Sequence, residues 1–514
     1  MNIHAVAANP MTTQAHINER DRIPFLQKLM FSLGINMDYV ATGLITGVLW
    51  MPFFNIGLGM SPTVLGIILM VLRFWDAMTN PVIGNLSDNA RTRWGRRRPF
   101  MFVGAITTAA IYPLFWYIPA GLGDTGRIVY LTVIGLVFFT SFTVWSMPYY
   151  SLQMELTPDY DERTRLTAWM TFFGKGSFLV GSWILAFVIL LGGVALNQPA
   201  VFEGHDGFAG SLLRWLQPLL AVFGSNAADE KPVVVGMRIC SWFIALGILV
   251  FGLLPAIFVK ERPLPAVIGK KDREPFWQSV RDSARSMPLW SLISISFFLV
   301  LGSTAVGSLG QYLNIYYVFH GDLGAAAYVA GWKGSVLVTA GIISIPFFTW
   351  LGEKWDKRTV VLVMLGVSMA GHFLNLFMMT PEHPYWQLIP GVTESCGIAA
   401  IWLFLPSMKA DVADADELKT GRRREGSINS FFSWFLKLAF TASMGIGGVL
   451  LELSGFDAKI NDQPPEVLHR MMWLYIALPT VIWGIAMVSC WYFPLGRKKC
   501  AEIRAELEAR RGQR

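Results

Sequence analysis

RFWDAMTNPVIGNLSDNARTRWGRRRPF, residues 73–100, decides how this chain is read. Its first half sets Arg73 and Asp76 in a segment that is otherwise apolar from Pro62 onward. Charges are costly inside a bilayer, and where they occur in a spanning segment they mark functional positions. Its second half is a short basic hairpin that runs directly into another apolar segment. A Lys/Arg-rich loop between two spans fixes which side of the membrane is cytoplasmic. The stretch therefore predicts two membrane helices joined by a cytoplasmic hairpin.

Working outward, the composition agrees. The 514 residues are 54% hydrophobic and only 15% charged, against about 25% charged in soluble domains. Mean hydropathy is +0.46. The net charge of +7 is spread over short loops between apolar runs, which is the topogenic pattern and not a nucleic-acid footprint. The cysteines, Cys240, Cys396, Cys490 and Cys500, have no metal-ligand or disulfide-framework spacing, so free thiols are expected. No cleavable signal peptide is apparent, and the first span is expected to act as its own insertion signal.

A spanning helix needs about 20 apolar residues. Twelve candidates occur, near 27–53, 63–86, 99–118, 128–150, 168–192, 237–259, 288–317, 326–351, 360–379, 386–408, 427–452 and 472–495. Lys and Arg concentrate in alternate loops and in the tail, so both termini are expected in the cytoplasm, with the chain in a bacterial-type inner membrane. The domain reading is an N-terminal segment 1–26, a six-helix bundle 27–259, an inter-bundle loop 260–287, a second six-helix bundle 288–495 and a tail 496–514. The loop 193–236 holds an apolar run, Phe208 to Phe223, expected as an interfacial helix. A short amphipathic helix is expected around Phe276–Arg285. The fold class is an all-α membrane protein with two six-helix bundles around a midplane site.

The halves echo each other. Gly84-x-x-x-Asp88 with its arginines after span two answers Gly352-x-x-x-Asp356-Lys357-Arg358 after span eight. Asp88, Arg93, Arg96, Arg97, Asp356 and Arg358 are read as a cytoplasmic latch, with Arg73 as a gating charge. The acids and arginines can pair with each other, with helix C-termini and with anionic lipid. A purely topogenic role is the competing reading.

Few other ionisable residues stand out inside the spans: Asp38, Lys175, Glu394 and Lys437. Arg73 and Asp76 are three residues apart and can pair on one helix face. Asp76, Thr79 and Asn80 share a face just before Pro81, and such oxygens suit a hard cation or, for the carboxylate alone, a proton. A structural ion pair is the alternative. Lys437, one turn from Ser433, needs a partner at that depth, and Asp38 or a substrate oxygen is expected. Lys175 and Glu394 are open to either a structural or a functional role. Trp402, Tyr149, Tyr150 and Tyr316 can stack on a sugar face, although packing explains most aromatics here. His372 is expected to be packed. No catalytic triad, HExxH or phosphate-cradling glycine loop occurs, so no enzyme is expected.

Three stretches carry a family resemblance: WDAMTNPVIG with RTRWGRRRPF, MPYYSLQMELTPDYDERTR (residues 147–165) and KADVADADELKTGRRREG (residues 409–426). Together they resemble the glycoside–pentoside–hexuronide cation symporters of the major facilitator superfamily. The arginine hairpin is also similar to that of the sucrose–proton symporters. The resemblance implies alternating-access symport of a sugar or glycoside through a cavity lined by spans one, two, four, five, ten and eleven. It implies Asp38, Tyr150, Trp402 and Lys437 near the substrate, with Ser433 and Lys175 beside them. It implies Asp76, Thr79 and Thr143, with Asn80, around the coupling cation. Asn80 stands where the family's melibiose-transporting members have a second acid, which favours a proton over sodium at Asp76. Ser146 and Thr171 replace an acid and a base of those members, which points to a different glycoside. No cofactor is implied, the partners are the substrate and membrane lipid, and a monomer is expected. A sodium-coupled sugar symporter, a carrier of lysolipid or another amphiphile on the same fold, and a non-transporting sensor are the other readings.

Overall fold

The computed structural model describes residues 22–119, 121–157, 160–202, 208–224, 231–261, 281, 284–421, 425–460 and 462–512. Twelve spans appear among them in the expected order. The first is Phe25–Asp38 followed by π-helical segments Tyr39–Gly43, Ile45–Leu49 and Pro52–Gly57. Pro62–Asn89, Arg98–Ile111 and Asp124–Glu155 are the second to fourth. The fifth is Tyr160–Ser182 joined to Ile184–Ala195 across a 41° bend. Pro232–Phe258 is the sixth. The seventh runs through Met287–Ala305 and Gly307–Leu313 into a π-helical Asn314–Val318. Leu323–Lys354, Lys357–Met378, Leu388–Thr420, Glu425–Leu453 and Pro465–Trp491 complete the set.

Ten of these are long and apolar enough to cross a membrane alone, and the bent fifth makes an eleventh. The tenth carries Lys409, Asp411, Asp414 and Asp416 in its second half. Many helices outrun their apolar stretches, the fourth reaching Glu155 and the tenth Thr420, because a helix can continue into water once its apolar part has crossed the bilayer. Large apolar side chains such as Phe74, Met78, Val133 and Phe243 lie exposed, as suits an integral membrane protein whose surroundings are hydrocarbon.

The packing is pseudo-twofold. Spans one and six, two and four, three and four, and three and six pack together, and so do seven and twelve, eight and ten, nine and ten, and nine and twelve. Between bundles, two packs on eleven and five on eight. The second and eleventh approach closely because Gly66 faces the carbonyls of Met444 and Gly445, while Gly448 faces that of Pro62. Thr63 Oγ1 donates to Gly448 O at 3.4 Å and Ser61 Oγ to Glu452 Oε2 at 3.1 Å. Tyr312 of the seventh span donates to Asn55 Oδ1 at 2.6 Å, and Trp183 donates to Ser335 at 2.9 Å.

All these ties lie in the half of the molecule away from the termini. The apolar core follows the same division. One cluster fills the N-terminal bundle and continues through Leu309, Tyr312, Leu451 and Tyr475. A second occupies the terminal-side half of the C-terminal bundle, around Leu289, Met364 and Met408.

Phe208–Gly224 is helical and packs on Ile184–Ala195 through one face, with Leu212, Trp215, Leu219 and Val222 exposed on the other. That placement fits an interfacial helix. Most of the helix expected around Phe276–Arg285 lies outside the described residues. A tail helix not expected from the sequence, Arg497–Gly512, docks on the tenth span, with Arg504 3.0 Å from Asp411.

Candidate functional site

Asp76 sits mid-bundle on the second span. Thr143 Oγ1 of the fourth span donates to Asp76 Oδ1 at 2.8 Å, and Thr79 Oγ1 to Asp76 O at 3.1 Å. Thr79 Oγ1 also lies 3.3 Å from Thr143 Oγ1. Oriented by its neighbours, the Asn80 amide donates to Asp76 O at 3.1 Å and accepts from Lys437 Nζ. The structure thus joins Asp76, Thr79, Asn80, Thr143 and Lys437. Lys437 bonds Asn80 and not Asp38, which corrects the expected pairing. A lysine on span eleven and an amide on span two meet because those spans pack side by side, and Asp38 already has nearer donors.

Those donors are Tyr150 and Thr42. Tyr150 Oη lies 2.5 Å from Asp38 Oδ2, and Thr42 Oγ1 3.2 Å from Oδ1. The π-helical segments begin immediately after Asp38; such widened turns recur at functional sites. Arg73 does not pair with Asp76. Its guanidinium reaches Thr46 Oγ1 at 3.5 Å and lies over the Phe139 ring, 5.2 Å from its centroid. Asp76 takes the Thr143 hydroxyl instead, and Arg73 and Asp76 both act electrostatically on Asp38.

A cavity of about 420 Å³ lies between the bundles. Tyr39, Gly43, Gly47 and Phe178 line its N-terminal side, and Gln311, Asn314, Lys333, His372, Glu394 and Trp483 are among those on the other. Spans one, five and ten contribute as expected. Spans seven, eight, nine and twelve stand where two, four and eleven were expected, because the close packing of two on eleven leaves no gap there. Asp38, Tyr150, Lys175, Ser433 and Lys437 are not in this lining; Tyr39, next to Asp38, is. Lys175 makes no hydrogen bond or ion pair among the described residues. Ser433 lies one turn before Lys437 on the same helix. The Trp402 and Asp88 side chains lie outside the described residues.

Lys333 was not among the residues singled out, although it falls within the eighth predicted span; a plain scan for charge inside spans finds it. His372 is buried as expected but is polar-bonded, to Glu394 and to the Tyr475 carbonyl.

The hairpins clamp each bundle at the terminal face. Arg96 and Arg97 meet Glu155 Oε1 at 2.7 and 2.8 Å. Glu261 accepts from the backbone N–H groups of Arg96, Arg97 and Arg98 at 2.7–2.8 Å, an anion at a helix N-terminus. Arg98 Nε donates to Ala256 O at 2.7 Å, near the end of span six. In the other half, Asp356 accepts from Arg358 N and Arg497 N, both at 3.2 Å. Arg358 Nη1 reaches Phe493 O, just past span twelve, at 3.4 Å, and Lys357 meets Asp411 at 2.6 Å. Arg93 is exposed. Glu261 escaped the sequence reading because it stands at the start of a long loop with no motif around it.

Residues 31–497 match the family model described as MFS/sugar transport protein. An uncharacterized symporter of Synechocystis sp. is 25% identical, covering 95% of this chain and 98% of its own. The sodium-dependent lysophosphatidylcholine symporter 1 of Gallus gallus is 24% identical (95% and 90%). The isoprimeverose transporter of Lactiplantibacillus pentosus is 21% identical (100% and 97%). Among solved structures, a bacterial homolog of the human lysosomal transporter Spinster, inward-facing and unoccupied, superposes with a TM-score of 0.63 at 13% identity, covering 91% of this chain and 97% of that one. The chain belongs to the MFS/sugar transport protein family of the major facilitator superfamily and is a secondary active symporter.

Proposed function

We propose that this symporter moves a sugar or glycoside together with a proton. The observation that carries the substrate class is the cavity wall. It sets aromatic rings of Tyr39, Phe178, Tyr475 and Trp483 among hydrogen-bonding groups of Gln311, Asn314, Lys333 and Glu394. Rings that stack on a pyranose face, beside groups that read hydroxyls, suit a sugar, and about 420 Å³ falls in the range of small-ligand sites. The sequence resemblance and the isoprimeverose transporter among the relatives support the same class. The lysophosphatidylcholine symporter relative supports a second reading, an amphiphile carrier.

Proton coupling rests on the Asp76 group. It holds one carboxylate, and the Lys437 ammonium occupies the Asn80 oxygen that a sodium ion would use. Sodium needs several oxygen ligands and loses this one to the ammonium, whereas a proton binds the carboxylate itself and needs no further ligand. Protonation of Asp76 removes a negative charge one helical turn from Asn80 and its tie to Lys437, so ion occupancy acts on the interface that must rock. The chain then works as a monomer in the cytoplasmic membrane, termini inside. The bundles are tied at the far face, so this conformation opens toward the cytoplasm.

The test is a thermal-shift screen of purified protein against mono- and oligosaccharides and lysophosphatidylcholine, with and without sodium, at two pH values. A saccharide shift that depends on pH and not on sodium is expected. A shift with the lysolipid alone, or one requiring sodium, overturns the reading.

A further inference from the structure

The cavity wall on the C-terminal side holds an imidazole that the coupling scheme above does not use. His372, on the ninth span, is 2% exposed. Its Nε2 lies 2.8 Å from Tyr475 O, and its Nδ1 lies 2.9 Å from Glu394 Oε1. A carbonyl oxygen only accepts, so Nε2 carries a hydrogen. Nδ1 is then left facing a carboxyl oxygen. Were Nδ1 bare and Glu394 ionised, two lone pairs would oppose each other at hydrogen-bond distance. A further proton therefore sits between Nδ1 and Oε1, as imidazolium and carboxylate or as imidazole and carboxylic acid. Asn375 Nδ2 donates to the same Oε1 at 2.8 Å and fixes the carboxyl in place.

Both residues line the cavity, so the proton has a route to water. The charged and titratable groups facing the pair are Lys333 from the eighth span and Tyr475 from the twelfth, while the seventh offers the uncharged Leu299, Gly302 and Ser303. Lys333 packs along Gly391, one turn from Glu394, and acts on it electrostatically. It makes no hydrogen bond or ion pair of its own among the described residues.

We propose that His372 and Glu394 form a proton-carrying pair in the wall of the transport cavity, a second titrating site separate from Asp76 and in the opposite bundle. Its transport role rests on reading that cavity as the substrate path; its proton does not. When the pair loses its proton to cavity water it becomes singly negative, and Lys333 is the cation placed to answer it. The charge a substrate meets on this wall then follows pH independently of Asp76.

The test needs no substrate. Full-length protein with nitrogen-labelled histidines is purified, and the His372 signal among the seven histidines is assigned by its absence in His372→Gln. Nitrogen spectra and the infrared carboxyl band are followed across the range in which histidines and carboxylates titrate. The expected result is a shared proton at low pH, visible as imidazolium or as a carboxylic acid, lost in one step as pH rises. Glu394→Gln abolishes the step, while its amide still donates to a neutral Nδ1, so its unfolding temperature stays close to that of the parent. Three results overturn the proposal: neutral imidazole together with ionised carboxylate throughout, a proton that never leaves, or a step unchanged in Glu394→Gln. If Glu394→Gln does not fold, the parent spectra alone decide through the first two. Failure here leaves the symport reading standing, and failure of the saccharide screen leaves the proton pair standing.

Discussion

Asp76 keeps its local bonding after substitution by asparagine, since an amide oxygen still accepts from Thr143, but an amide cannot exchange a proton at neutral pH. Asp76→Asn is therefore expected to lower concentrative uptake in proteoliposomes at least about tenfold while exchange persists, with stability changed by less than about 1 kcal/mol. Full accumulation by that variant removes Asp76 from coupling. Asn80→Asp places a second carboxylate between Asp76 and Lys437 and supplies the charge a sodium site lacks. Sodium should then raise its unfolding temperature while leaving that of the parent unchanged. The triplet Asp76, Thr79 and Asn80 was legible from spacing on one helix. The Lys437 bond was not, since it depends on how the second span packs on the eleventh.

Each terminal-face hairpin is a three-way joint between a loop, the end of an even-numbered span and an acid. Arg97 is 4% exposed and bonds Glu155 and, through its backbone, Glu261, whereas Arg93 is exposed and lies outside this joint. Arg97→Ala should cost about 1–2 kcal/mol, less than a fully buried pair because Arg96 still holds Glu155. Arg93→Ala should stay within about 0.5 kcal/mol. Equal losses in thermal unfolding would show that the hairpin only sets topology. At the opposite face, Gly448 lies against the Pro62 carbonyl, with no room for a side chain. Gly448→Leu should block closure there. Uptake is lost, and a reporter cysteine at position 311 reacts with an impermeant maleimide added from the side opposite the termini. Retained uptake would show that the close approach is not needed.

Across the whole molecule, most polar ties and the shared apolar core gather at the face away from the termini, with the Asn80–Lys437 bond deeper between the bundles, so the bundles behave as two bodies hinged at one end. Such bodies can rock about a site placed between them. Cysteines replacing Ser61 and Glu452, whose side chains meet at 3.1 Å, should be bridged by a short bifunctional thiol reagent. Transport should stop on bridging and return when a cleavable bridge is reduced. Undiminished transport in the bridged protein would mean that this face does not open during the cycle.

The sequence by itself determined the number and order of the spans, because hydrocarbon accepts only long apolar helices and each one leaves its mark in composition. It also determined the repeat relating the two halves and the Asp76 group on its own helix, since neighbours on one turn are fixed by helical periodicity. Only the tertiary structure decided which spans enclose the cavity, which acids the arginines meet, and that His372 meets Glu394 in the cavity wall that also holds Lys333. Those facts rest on contacts between helices far apart in the chain. Periodicity shows which face of a helix is polar but not which other helix that face will meet.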